Sequence, residues 1–251
     1  MHRRRRLPLF VILLLASAVP LTGVRAEDTP LRILVRADDA KFIGTGVGGL
    51  YATVRDADTG ELLGGGAVAG GTGDTAALMS EPRPRGATAV SDDAASLALT
   101  LDLEQPRRIE VSVTGPQAVA QGRQRVTTTT WLLPGQDRST YPLVLHLNGL
   151  LVDLVGYDST RAGLSIEADV SMLCGCTITD DGPWRAGDYR VEALLYREGE
   201  ILHRAPLAFT GETGRFAGTL PPAKGEARVL EIRALQVSTG NAGVFREDIV
   251  N

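Results

Sequence analysis

Glycine and proline interrupt this chain at short intervals, 29 and 13 of its 251 residues, a combined share well above the usual roughly 12%. Glycine costs a helix interior free energy and proline breaks it, so long helices are excluded almost everywhere. Between the interruptions, apolar side chains recur at every second position, the pattern of short half-buried strands. Leu164, Ile166, Ala168, Val170 and Met172 share one parity, and Ser165, Glu167, Asp169 and Ser171 the other. Leu230, Ile232 and Ala234 alternate with Glu231 and Arg233 in the same way. Tyr189 to Ala193 alternates too, and Arg197-Glu198-Gly199-Glu200 is placed to fold it back onto Ile201 to Phe209 as a hairpin. Helical spacing has almost no support; Asp92 to Leu103 is read as strand or loop. The expected class is all-β.

Residues 1–26 read as a secretory signal peptide. Arg3 to Arg6 are cationic, Leu7 to Val19 is apolar but shorter than the roughly 20 residues a spanning helix needs, and Val24-Arg25-Ala26 offers small residues before Glu27. Removing that segment removes five of 26 basic residues and no acid. The remaining 21 basic against 30 acidic residues give a net charge of −9, which argues against nucleic acid as a partner. No later stretch is long and apolar enough to cross a membrane as a helix; Leu143 to Val155, the richest, contains His146, Asn148 and Asp153. The expected location is periplasmic or secreted.

The polar, proline-closed stretch from Leu133 to Pro142 divides what remains into halves, 27–136 and 137–251. Each has the length of a β-sandwich, so two consecutive β-sandwich domains are expected. The second half carries Gly187-Asp188-Tyr189-Arg190-Val191-Glu192-Ala193, Phe216 to Pro221, Leu230 to Ala234 and Thr239-Gly240-Asn241. In these it resembles bacterial immunoglobulin-like domains, which show a Y-x-V-x-A strand and a late A-x-D-x-x-G-N turn; Gln236 stands near the place of that Asp, so a role for the acid does not carry over. Gly49 to Leu62 resembles the opening strand and hairpin of transthyretin-like or carboxypeptidase-regulatory-like sandwiches. Both resemblances imply fold, not activity.

Several motifs fail for want of context. Gly44-Thr45-Gly46-Val47-Gly48-Gly49 has the letters of a dinucleotide fingerprint, but a strand follows it where a helix is required. Gly70 to Thr75 lacks the Lys-Ser/Thr ending of a phosphate loop, so no nucleotide cofactor is expected. Asp56-Ala57-Asp58-Thr59-Gly60-Glu61 alternates carboxylates as calcium loops do, but lacks the further ligands and reads as a hairpin turn. Beyond His2 only His146 and His203 occur, with neither G-x-S-x-G nor H-E-x-x-H, so a non-catalytic protein is expected.

One cluster is chemically distinctive. Met172-Leu173-Cys174-Gly175-Cys176 holds the only two cysteines. An oxidising compartment favours their pairing. In a regular strand, however, their Cα atoms lie about 6.6 Å apart with parallel Cβ vectors, so a bridge demands a sharp bend at Gly175. Strand parity instead aims Met172, Cys174 and Cys176 to one side, and soft sulfur ligands suit copper(I) or, less well, zinc. Two cysteines do not close a zinc site, so Met172, His146, His203 or a second subunit would have to complete it, although His146 has the parity opposite to its leucine neighbours. The expectation is therefore an exported protein binding copper(I) or zinc through Cys174 and Cys176, with Met172 and His146 as further donors. The alternative is a structural or protein-binding envelope module whose cysteines form a structural or redox-active pair, or simply pack. A protein partner in the envelope is expected under either reading.

Overall fold

Alternation of buried and exposed side chains runs through nearly every strand of the computed structural model, which describes residues 25–82, 84–85, 90–222 and 229–249. The signal-peptide reading falls on 1–26 and lies almost wholly outside them. The protein is all-β, and the described residues form three sheets. β1 (Glu27–Ala37) lies between β4 (Leu97–Leu103), antiparallel, and β7 (Arg138–Leu147), parallel. A second sheet has the order β3 (Leu62–Val68), β2 (Leu50–Asp56), β5 (Arg107–Gly115), β6 (Gln124–Leu132), antiparallel throughout. These two sheets close a sandwich over Leu31, Ile33 and Val35 from β1 and Val54, Ile109 and Val111 from the other sheet, all buried.

The remaining strands form one sheet of seven: β14 (Ala242–Asp248), β13 (Val229–Gln236), β10 (Tyr189–Arg197), β11 (Glu200–Phe209), β12 (Arg215–Leu220), β9 (Gly163–Met172), β8 (Leu150–Thr160). The sheet curls until its ends meet. Gly243 of β14 lies so close to β8 that a Cβ there would be 2.5 Å from the Leu150 carbonyl oxygen. The β10–β11 hairpin has the turn read from the sequence, with Glu198 at φ 52° and Gly199 at φ 88°. Two consecutive positive φ values match the right-handed twist of the strands they join.

The polar stretch after Leu133 leads into β7, which returns to pair with β1, so the first strand beyond residue 136 completes the N-terminal sandwich. The seven-stranded sheet begins at β8. One hydrophobic core runs through both halves. A smaller cluster, Leu34, Phe42, Leu78 and Ala94, covers the other face of β1. Leu78 belongs to α1 (Thr75–Met79), a single turn not anticipated from helical spacing. Its start is set by Asp74, whose carboxylate accepts the Ala77 N–H at 2.8 Å. Among the described residues no helix is long and apolar enough to cross a membrane.

Candidate functional site

The sulfur cluster sits where the two halves meet. β9 keeps its predicted parity through Met172 and stops there. The Gly175 N–H then bonds back to the Met172 carbonyl (2.8 Å) and the Met172 N–H to the Cys176 carbonyl (3.0 Å), closing a tight turn with Gly175 at φ 77°. The turn brings the Cys174 and Cys176 Cα atoms to 5.3 Å, and the sulfurs are joined in a disulfide. The parity argument for three sulfurs aligned on one strand face thus ends at Met172. The bend that a bridge demanded is supplied by the glycine, because only glycine enters this backbone region without strain.

All three sulfur side chains are buried in the shared core. Neither cysteine is a free thiol. The Met172 sulfur accepts the Tyr189 hydroxyl at 2.9 Å. That phenol is held well above its ordinary pKa by burial first and by the charges of Asp39 and Asp188 second, so it stays a donor. His146 is exposed on β7, on the side opposite Leu145 and Leu147, which join the core that buries the cysteines; the structure therefore brings Met172, Cys174 and Cys176 together and leaves His146 apart. His203 is half-buried on β11, opposite Leu195. Among the described residues no three His, Cys, Asp or Glu side chains cluster as a metal site would require.

The glycine-rich loop at 44–49 docks on this turn. A Cβ at Gly175 would lie 2.8 Å from Val47 Cγ1, so the N-terminal half rests directly on the cysteine turn. The loop's other contacts are structural: Ala118 N–H bonds to the Val47 carbonyl (3.1 Å) and Gln117 N–H to that of Gly49 (3.0 Å). Beside it lies a polar clasp that the sequence reading missed. The Asp38-Asp39 turn, with Asp39 at φ 51°, enters the C-terminal half. There the Trp184 indole donates to the Asp39 carbonyl (2.8 Å), the Gln236 amide to the Asp39 carboxylate (2.6 Å) and the Asn241 amide to the Asp38 carbonyl (3.1 Å). Asn241 also donates to Gln236 Oε1 (2.9 Å) and accepts the Gly149 N–H (3.2 Å), and Thr239 donates to the same Gln236 oxygen (2.7 Å). Gln236 and Asn241 are buried with their polar atoms paired. The Thr-Gly-Asn turn was visible in the sequence; its partner, 203 residues away from Asn241, was not.

The Asp56–Glu61 motif is a hairpin turn joining β2 to β3. Asp56 Oδ1 accepts the N–H groups of Asp58 (3.0 Å) and Thr59 (2.8 Å), and Arg107 holds Asp56 (2.9 Å) and Glu61 (3.0 Å). Arg108 pairs with Asp58. The carboxylates are neutralised by arginines of β5. No family model matches the chain, and no curated protein is similar to it in sequence.

Proposed function

We propose that this chain is an exported, non-catalytic envelope module that works by binding a protein partner, its Cys174–Cys176 pair a structural bridge. The observation that carries the reading of the cysteines is their burial, bonded to one another, beneath Val47 of the other half. A thiol pair used for metal transfer or exchange needs access. Support for protein binding comes from β6, which ends its sheet, pairs with β5 over nine residues without a bulge, and contains Thr127 to Thr130 followed by Trp131, 61% exposed. Neither lysine nor proline guards this edge, and such an edge offers unpaired backbone groups to an extended strand of another chain.

Two measurements test this. A photo-crosslinking residue at Thr129, in the intact envelope, is expected to give one discrete polypeptide adduct that disappears with Thr127→Lys; absence of any adduct overturns the binding reading. Thiol titration of the exported protein is expected to find no free thiol. Copper or zinc near one equivalent, lost in Cys174→Ser/Cys176→Ser, overturns the structural bridge. It establishes instead the second reading, a copper(I) or zinc carrier, which is favoured by the confinement of Met172, Cys174 and Cys176 to one turn and requires prior reduction of the bridge.

A further inference from the structure

The outer face of the seven-stranded sheet carries a concentration of positive charge that contrasts with the acidic chain around it. A cavity of about 260 Å³ opens there, lined by Arg190 and Glu192 of β10, Arg204 of β11, Arg233 and Ala234 of β13, and Ala242 to Val244 of β14, with Leu235. Strand register places these residues together: Glu192 lies opposite Arg233, which lies opposite Val244, and Arg190 opposite Leu235, which lies opposite Ala242. The floor is aliphatic and the walls are guanidinium groups.

Three arginines share two carboxylates, Glu192 and Glu231. Arg204 grips Glu192 with both Nε (2.7 Å) and Nη2 (2.6 Å). Arg233 stands 3.9 Å from Glu192, while its Nε donates to Glu231 (2.6 Å) and its Nη2 to the Tyr196 hydroxyl (2.7 Å). Arg190 forms no ion pair among the described residues and acts on Glu192 only through space. Arg204 is committed to Glu192, and Arg233 to Glu231 and Tyr196, so the guanidinium left over is that of Arg190, and planar guanidinium forks match carboxylate and phosphate oxygens. The aliphatic floor strengthens that attraction relative to open solvent.

We infer that this cavity is a binding site for a small oxyanion, a carboxylate or phosphate borne on an apolar body about the size of an amino acid, with Arg190 as its principal donor, Arg233 beside it and Glu192 as an internal competitor. The site shares no residue with the β6 edge or the cysteine turn, and it does not depend on the function proposed above. The carboxylate and phosphate cases share the same donors and differ in the ligand alone.

The test is a titration of the exported protein with sodium phosphate and, separately, sodium glutarate, at constant ionic strength, following the backbone amide resonances of Ala234, Gly243 and Val244. Saturable shifts confined to these residues are expected with at least one of the two anions, and the better one names the class. Arg190→Gln should weaken binding about tenfold or more; because Arg190 holds no ion-pair partner among the described residues, its loss leaves the amide spectrum elsewhere unchanged. Glu192→Gln should tighten binding several-fold by removing the competing charge. A disordered pocket would weaken both variants alike. Shifts that grow linearly without saturation for both anions, or Arg190→Gln and Glu192→Gln moving affinity in the same direction, overturn the proposal.

Discussion

Gly175 shows how one residue decides the character of the cysteine motif. With φ at 77° and Val47 Cγ1 2.8 Å from where a Cβ would stand, it is both conformationally and sterically committed to glycine. Gly175→Ala is expected to cost about 1–3 kcal/mol, read as a lowered denaturation midpoint. Asn241 is a second such position. Replacing it by Ala orphans the buried Gly149 N–H and the Asp38 carbonyl, for an expected loss of about 2–4 kcal/mol in chemical denaturation. Asp56 gives a pH signature. Its carboxyl, ordinarily at 3.8, is held at about 2, first by the hydrogen bond from Arg107 and then by the Thr59 N–H. Folding therefore favours the ionised form, and the stabilisation is complete above roughly pH 4 and lost as pH falls through 2. Acid unfolding followed between pH 4 and 2 should be less steep in Asp56→Asn.

Elements differ in how far local sequence specifies them. β9 follows its alternation residue for residue, because one face meets the core and the other meets water or charged partners such as Arg215, which pairs with Asp169. α1 escaped notice because five residues are too few to show a helical period; only the Asp74 cap and the apolar Leu78 mark it. The cysteine turn lies between these cases. Its bridge spans a sequence separation of two, so the entropy it removes from the unfolded chain is small, roughly 1–2 kcal/mol by loop-closure reasoning. Cys174→Ser/Cys176→Ser should therefore remain folded, with a melting temperature lowered by only a few degrees in calorimetry. Loss of folding in that variant would assign the bridge a larger part than its loop length permits.

At the scale of the whole molecule, the two halves are joined by a common core and by the clasp around Asp38 and Asp39. Interfaces of this kind, apolar and hydrogen-bonded, make unfolding of one part expose apolar surface of the other. The expected calorimetric trace is a single transition. Asp39→Ala, which removes the partner of the Gln236 amide, should lower it and broaden it; two resolved transitions in the unmodified protein would show halves that fold independently.

What the sequence alone determined is local. The all-β class, the turn at Glu198-Gly199, the hairpin at Asp56–Glu61 and the need for a bend at Gly175 all follow from side-chain period and backbone freedom, which act between near neighbours. Tertiary structure decided what lies across distance: the closure of the cysteine bridge, the docking of the 44–49 loop upon it, the exposure of His146, and the gathering of Arg190, Arg204 and Arg233 around Glu192. The physical reason is that hydrogen bonds and charge pairs between residues such as Asp38 and Asn241 depend on strand order and sheet curvature, and neither quantity leaves a mark on the residues adjacent in the chain.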